Sequence, residues 1–359
     1  WEETGEPTVA ESFRARLRDA DSGPGDRRRR AIEDALSWLA THQAADGYWD
    51  ADEFGRWCDG ERVEGTTDGP GKSEYDVGVT GLSLLAFLGG GYTHRDRHPH
   101  AESVKKGLRY LERVQDAEGC YGPRTSSQYV YNHAIATLAM VEAYGMTGSR
   151  LLRGSAQRAL DFIAGARNPY FAWRYGIRPG DNDTSITYWM LAAVTAAQRV
   201  NRDAEAAGRG AVFTIDEDCF DGVRAWVDKM TEPDFGRVGY IQRGGSPARP
   251  QALVDRVPSD KTEAMTAAGI CIRFAVDDSP ERSLLIRKGA QLLSATNPEW
   301  TEAAGTIDLV AWYEGSQALF LVGGADWTRW KRALENTLLG RQRRQAGRRG
   351  LGGTWDPAG

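Results

Sequence analysis

Two kinds of apolar pattern alternate along the chain. The segments around Trp38 and Tyr110 carry apolar residues at i, i+3, i+4 and i+7, which predicts helices with one buried face. Between segments of this kind lie stretches that are apolar on nearly every side, and a helix of that kind has to be buried. These stretches span residues 77–88, 134–144, 186–197, 265–276 and 312–322. Because no Val/Ile/Thr run alternates with period two, the pattern predicts an all-α barrel with outer helices around inner ones.

The amphipathic segments end in a recurring motif. The first copy reads ALSWLATHQAADGYW and the second GLRYLERVQDAEGCY, each with a glutamine six residues before a final aromatic. A third copy keeps the aromatic and lacks the glutamine, and looser copies follow at 222–231, 289–300 and 333–342. The motif residues are Gln43 and Trp49, Gln115 and Tyr121, Trp173, and Trp355. Such repetition indicates stacked units, and the glycine before each aromatic is expected to end its helix in the left-handed conformation.

This Q-x-x-x-G-x-W ending resembles the QW motif of squalene-hopene cyclases. The chain from about residue 31 to 355 is similar to a planctomycete-type branch of prenyltransferase/squalene-oxidase-repeat proteins, above all in GLSLLAFLGGGYTH, YNHAIATLAMVEAYGMTG and WRYGIRPGDNDTSITYWM. The resemblance implies a single (α/α)6 toroid over residues 31–359, preceded by an N-terminal extension over 1–30. Six outer but five inner helices are evident, so the sixth inner helix is expected to be missing from this chain. Activity does not follow, because unrelated functions share folds.

The segment GDNDTS, residues 180–185, lies where class II terpenoid cyclases carry D-x-D-D-T. Aligned on the threonine, Asn182 takes the position of the proton donor, and an amide cannot donate a proton at any useful pKa. The chain is therefore not expected to be a squalene-type cyclase, and whether it is an enzyme stays open. Asp183 is equally suited to cap the following helix. The candidate catalytic residues are Asp181, Asp183, His133 and Glu263.

Polar and aromatic residues near the starts of the inner helices are candidates for one shared pocket. They are Tyr75, Asp76, Tyr131, His133, Asp183, Tyr188, Trp189, Trp312 and Glu314. Aromatic walls with a few polar groups suit a ligand. We expect a binding or scaffold module with a central apolar and aromatic pocket for a small apolar ligand or a peptide. The alternatives are an enzyme acting on isoprenoid substrates and a carboxylate-based glycan-processing (α/α)6 barrel.

Net charge and cysteine content argue against several classes of partner and cofactor. The net charge of −5 argues against a nucleic-acid partner. The four cysteines lie far apart and no set of ligands converges as a zinc site requires, so no metal and no cofactor is expected. No apolar run approaches the roughly 20 residues that span a bilayer. Reduced thiols favour the cytoplasm, and a periplasmic or membrane-anchored location is the alternative if an N-terminal segment has been removed.

Overall fold

A computed structural model describes residues 24–54, 71–247, 249, 254–255, 257–276, 279, 283–301, 307–343 and 352–355. This part of the chain forms eleven α-helices and no strand, which confirms the all-α prediction. The helices are α1 (Pro24–Thr41), α2 (Asp76–Gly89), α3 (Ala101–Val114), α4 (Tyr129–Thr147), α5 (Arg150–Ala166), α6 (Thr184–Ala206), α7 (Cys219–Met230), α8 (Ala264–Ala275), α9 (Leu284–Ala295), α10 (Leu309–Val322) and α11 (Gly324–Arg341).

The helix ends have local causes in the sequence. The side chain of Asp308 accepts a hydrogen bond from the Ala311 amide (3.0 Å) and caps the start of α10, while Ser283 caps α9 in the same way. Gly148, with φ +58°, ends α4 in the left-handed region. Helix α1 begins at Pro24, upstream of the boundary expected at residue 31.

The chain divides into two compact units. The first comprises Trp1–Ile163, Ala193–Ile215 and Gln342–Thr354. Within it α2 packs against α4 at two glycines: a Cβ at Gly81 would come within 2.9 Å of the Ile135 side chain, and one at Gly78 would overlap the Asn132 side chain. Both glycines therefore allow the two backbones to approach closely. The single domain expected over residues 31–359 stays a prediction.

The second unit comprises Ala164–Ala192, Asp216–Arg341 and Trp355–Gly359. Helices α8, α9, α10 and α11 meet around one buried cluster, in which Gly315 of α10 faces the Trp330 ring of α11. A Cβ at Gly315 would lie 2.7 Å from that ring. The buried members of the cluster are Ala267, Ile270, Ile286, Ala290, Leu293, Ala318, Leu319 and Trp330.

The three motif glutamines make the same pair of hydrogen bonds. Each side-chain amide donates to the carbonyl of its own glycine and to a carbonyl of another helix. Gln43 donates to Gly47 (2.8 Å) and Ser103 (2.9 Å), Gln115 to Gly119 (3.0 Å) and Ser155 (2.9 Å), and Gln342 to Gly353 (3.0 Å) and Ala31 (2.7 Å). Each glutamine thus joins the end of its own helix to a second helix: α1 to α3, α3 to α5, and α11 to α1.

The motif glycine does not end its helix, and that expectation is wrong. Helix α3 ends at Val114, and Gln115 is already extended (φ −73°, ψ 125°). Gly119 follows in the turn that pairs Gln115 with Tyr121, with φ +91°. A Cβ there would overlap the carbonyl oxygen of Arg158. Glycine is needed because the turn combines a positive φ with close backbone contact.

Helix α10 departs from the prediction that it is buried on all sides. Five large apolar side chains are 39–51% exposed, while its packed face consists of Trp312, Gly315, Ala318 and Leu319. The exposed residues are Leu309, Val310, Tyr313, Phe320 and Leu321. Hydropathy limits which side chains tolerate burial, but the number of neighbouring helices decides which are buried. Within the described ranges, no helix combines the length and apolarity needed to cross a bilayer.

Candidate functional site

His133 lies in the first turn of α4 and is fully buried. Its Nδ1 accepts a hydrogen bond from the Tyr121 amide (3.0 Å), and its Nε2 lies 3.2 Å from the Ala159 carbonyl, which assigns the proton to Nε2. Burial lowers the pKa of His133 to about 3. A neutral histidine with both nitrogens engaged holds the second motif copy against α4 and α5, so its geometry is that of a structural residue.

The other candidates of the first unit lie near the start of α2 and α4. Tyr75 closes a 3-10 turn and is half-buried, as is Tyr131 in α4. Asp76 groups with Asp50 and Asp52, with one carboxylate oxygen of each within 4.8 Å of the others. The pKa of Asp76 is raised to about 6, mainly by burial and further by the charges of Asp50 and Asp52. The hydrogen bond that it accepts from the Ala51 amide lowers the pKa and partly opposes this shift.

This carboxylate group has a structural explanation. Oδ1 of Asp50 accepts hydrogen bonds from the amides of Asp52 (3.2 Å) and Glu53 (2.7 Å), and Oδ1 of Asp76 accepts from the amide of Ala51 (2.9 Å). Short-range bonds of this kind organise a turn. The side chains of Asp50 and Asp76 therefore fix the chain that follows the first motif copy.

Asp183 is the N-cap of α6. Its Oδ1 accepts a hydrogen bond from the Ile186 amide (2.7 Å), one of the two roles expected for it. Burial raises its pKa to about 7, against the amide of Ile186 and the charge of Arg174, whose Nε lies 3.8 Å from Oδ2. The side chain is fully buried.

Three neighbouring candidates are also engaged. Oδ1 of Asn182 accepts from the side chain of Asn168 (3.1 Å) and the amide of Ala172 (3.0 Å). Asp181 is exposed and pairs with Arg174. Glu263, at the start of α8, accepts hydrogen bonds from Arg237 (2.6 Å) and from the Thr266 hydroxyl (2.7 Å). These contacts stabilise loops and helix starts.

A different arrangement occurs in the second unit, where side chains of α6, α8 and α10 meet. The rings of Trp189 and Tyr313 stack with centroids 5.7 Å apart and planes 9° apart, and Tyr188 meets Trp189 edge-on at 5.2 Å. Trp312 is buried beside Trp300, 6.2 Å between centroids. We call Tyr188, Trp189, Cys271, Tyr313 and Glu314 the aromatic–carboxyl cluster.

Glu314 is the exceptional member of this cluster. It is fully buried, and within the part of the chain described neither of its carboxylate oxygens has a hydrogen-bond partner. Burial raises its pKa well above the ordinary value; the charge of Asp308 adds to this effect and that of Arg249 opposes it. Burial also raises the pKa of Tyr188, to which the charges of Cys271, Tyr313 and Glu314 add. Burial therefore favours the neutral form of this carboxyl.

The structure groups part of the predicted site and adds to it. Tyr188, Trp189 and Glu314, expected at a pocket, lie in the cluster, whereas Asp183 and Glu263 have separate arginine partners. Sequence reasoning missed the cluster members Cys271 and Tyr313, together with the Arg249–Asp308 ion pair beside Glu314. Tyr313 precedes Glu314 in an apolar run, which is a usable signal, but nothing local marks the other three residues.

The chain matches no protein-family model, and no curated protein matches it. The geometry of the cluster and the contacts of the motif are therefore the observations that bear on function.

Proposed function

We propose that this chain is a ligand-binding module, built as an α/α toroid resembling the squalene cyclases, that takes a small, largely apolar molecule at the aromatic–carboxyl cluster. The observation that carries the proposal is the Glu314 carboxyl, which is fully buried and has neither oxygen hydrogen-bonded by a described residue. A buried polar group left without a partner costs about 1–3 kcal/mol. A bound molecule would supply the missing partner.

The surroundings of the carboxyl suit an apolar ligand. Tyr188 and Trp189 are almost wholly buried, and Tyr313, stacked on Trp189, is 39% exposed. Aromatic faces with one polar group that fixes orientation are typical of small-molecule sites. The exposed Tyr313 is the member of the cluster that an entering molecule would meet first.

The toroid is proposed from the motif contacts. Three glutamines make matching pairs of hydrogen bonds, and the last of them, Gln342, donates to Ala31 in α1. Outer and inner helices of a repeat protein stack in this manner because each unit contacts its neighbours. These contacts support the resemblance to QW-motif proteins.

Binding of n-octanol tests the proposal, with Trp fluorescence and the melting temperature as readouts. We expect saturable binding, and a rise in melting temperature as the alcohol exceeds its Kd. Tyr313→Ala should weaken binding about ten-fold, since a well-placed aromatic contact contributes on the order of 1 kcal/mol. Tyr170→Ala is the matched control, because that tyrosine is 88% exposed in a loop. Absence of octanol binding, or equal affinities for the two variants, would overturn the proposal.

An enzyme acting on isoprenoid substrates is the second candidate, and the same residue favours it. A carboxyl kept protonated by burial in apolar surroundings is the form that can give a proton to an alkene. Burial shifts the pKa of Glu314 in that direction, whereas the amide of Asn182 cannot act as such an acid. Incubation with squalene, and separately with geranylgeranyl diphosphate, followed by mass spectrometry of the extracts decides the point. Cyclic product that is lost in Glu314→Gln would establish the enzyme; no product with either substrate would exclude it for these two.

A further inference from the structure

We propose that the molecule taken by the aromatic–carboxyl cluster carries a protonated or quaternary amine, with the carboxylate of Glu314 as its counter-ion and the rings of Tyr188, Trp189 and Tyr313 beside the cation. This inference rests on the proposed binding function and assigns the chemical class of the ligand. It concerns an alkyl chain or another apolar body with one cationic end.

The first step is the contrast between Glu314 and the other buried polar groups. Asp183 caps a helix through Oδ1, and its Oδ2, which has no hydrogen-bond partner among the described residues, lies 3.8 Å from Arg174. Both ring nitrogens of His133 have backbone partners. Neither Glu314 oxygen has a partner among the described residues. Once it has lost its proton, this carboxyl offers about four acceptor sites and no donor, so the complement of the ionised form is a group that donates. An ammonium donates and is charged.

The second step is the charge around Glu314. The titratable and charged groups that shift the pKa of Glu314 or of Tyr188 belong to several elements. They are Tyr188 of α6, Cys271 of α8, Tyr313 of α10, Asp308 at the start of α10, and Arg249. Arg249 is the single cation among them and is paired with Asp308. An ionised Glu314 would therefore leave one uncompensated negative charge. A cationic ligand would neutralise it, whereas an anionic ligand would add to it.

The third step is the arrangement of the rings. Trp189 and Tyr313 lie 5.7 Å apart and nearly parallel, and Tyr188 meets Trp189 at 5.2 Å. The face of an aromatic ring carries negative potential, and a cation within about 6 Å of it gains roughly 0.5–2 kcal/mol. A neutral alcohol gains only the apolar contact. The rings and the carboxyl therefore favour a cation over an uncharged molecule of the same size.

Binding of an amine has a proton balance that can be measured. Burial raises the pKa of Glu314 and so favours its protonated form in the empty protein. When an alkylammonium enters, the carboxyl loses its proton to the buffer and the carboxylate pairs with the ammonium, so no covalent bond other than that O–H bond changes. One proton is released for each amine bound at neutral pH. A neutral alcohol releases none.

The test compares n-octylammonium, n-octanol and n-octanoate, which share one chain length, by isothermal titration calorimetry at pH 7.5. We expect n-octylammonium to bind about ten-fold more tightly than n-octanol, and n-octanoate to bind most weakly. Repeating the amine titration in phosphate and in Tris, buffers of different ionisation enthalpy, should give release of about one proton. Glu314→Gln should lower the affinity for the amine to that for the alcohol and abolish proton release. Glu314→Met is the second variant if the glutamine variant does not fold.

The outcomes separate this inference from the function on which it rests. Equal affinity for amine and alcohol in the unaltered protein would overturn the inference that the ligand is a cation. The proposed binding site for apolar molecules would still stand. Failure of all three probes to bind would overturn both.

Discussion

Buried polar residues in this protein fall into two classes by what their side chains contact. The buried His133 and Asp183, and the half-buried Asn182, use polar atoms to hold loops and helix starts in place. Glu314 has no comparable bond within the described residues, although it is equally buried. At the residue scale, the first class accounts for local structure, and the second is the observation on which the proposed ligand site rests.

Asp183 gives a pH dependence with a definite sign. Its folded-state pKa is raised from 3.8 to about 7, so the unfolded chain ionises first as pH rises. The free energy of unfolding therefore falls between about pH 4 and pH 7. Asp183→Asn keeps an Oδ1 acceptor for the cap and removes this fall. In urea unfolding from pH 4 to 8, the free energy of unfolding of the variant, relative to that of the unaltered protein, should rise by about 2–4 kcal/mol.

Asp181→Asn is the control for that series. It makes the same chemical change two residues away on an exposed side chain, and surface changes usually alter stability by less than about 0.5 kcal/mol. A constant difference between Asp183→Asn and the unaltered protein over the whole pH range would show that the buried carboxyl does not titrate as described.

Replacing Glu314 with an apolar residue should increase the stability of the empty protein. Glu314→Met replaces an unpartnered carboxyl by an apolar side chain of similar length, and we expect the empty protein to gain about 1–3 kcal/mol. Glu102→Met, on the exposed face of α3, is the control and should change stability by less than about 0.5 kcal/mol. Equilibrium unfolding in urea measures both. Destabilisation by Glu314→Met would mean that the carboxyl has a structural partner.

At the element scale, the third motif copy keeps a hydrogen bond of the motif although its glutamine has been replaced. The third copy lacks the glutamine, yet Arg167 donates to the carbonyl of Phe171 (3.4 Å) and to Asp216 (2.8 Å). The first bond spans four residues, as do those of Gln43 and Gln115. The long donor side chain is what the turn requires, and arginine supplies it through a guanidinium.

Two glycines with similar φ values allow the cost of backbone strain to be distinguished from the cost of steric overlap. Gly119 (φ +91°) would place a Cβ against the carbonyl of Arg158, whereas Gly176 (φ +100°) has no neighbouring heavy atom within 4 Å of such a Cβ. Gly176→Ala should cost about 1–2 kcal/mol for the backbone angle alone. Gly119→Ala should cost about 2–4 kcal/mol, since overlap adds to it. Urea midpoints measure both, and equal losses would argue against close packing at the motif.

Helix positions were predictable because apolar periodicity reports which face of a segment tolerates burial. The pattern over 186–197 fell inside α6, and that over 265–276 matched α8 within one residue. The exposed stripe of α10 was not predictable, because it depends on how many helices pack beside it. The glycine turn was misjudged for a similar reason, since its φ reflects contact with a distant carbonyl.

The candidate site was predictable only as a set of residue types. Glu314, Tyr188 and Trp189 stood out as polar or aromatic groups on inner helices. Their grouping with Cys271 and Tyr313, and the missing partner of Glu314, depend on contacts between α6, α8 and α10. Residues this far apart in the sequence leave no local signal, so the sequence alone could not predict that they form one cluster.

At the scale of the whole chain, the last motif copy contacts the first outer helix. Gln342 donates to the carbonyls of Ala31 and Gly353, and a Cβ at Gly353 would lie 2.5 Å from the carbonyl oxygen of Asp34. The two ends of the described chain are thus joined within the first unit.

Gln342→Leu tests this connection. It leaves two carbonyls without their donor, and each lost bond costs roughly 1 kcal/mol. We expect amide hydrogen exchange in α1 to accelerate about ten-fold or more, with little change in α8. Gln291→Leu, at an exposed position of α9, makes the same substitution and should leave α1 unchanged. Unaltered exchange in α1 of Gln342→Leu would show that the connection contributes nothing to its stability.

The bond from Gln342 to Ala31 also has a consequence for biosynthesis. It joins residues 311 positions apart, and ribosomes add about 5–20 residues per second, so roughly 15–60 s separate the synthesis of the two. During that interval α1 exists without the segment that contacts Ala31 in the finished protein. Until the segment around Gln342 has been synthesised, the apolar face of the amphipathic helix α1 lacks this contact, and we expect chaperones that recognise such faces to hold the nascent chain for that time.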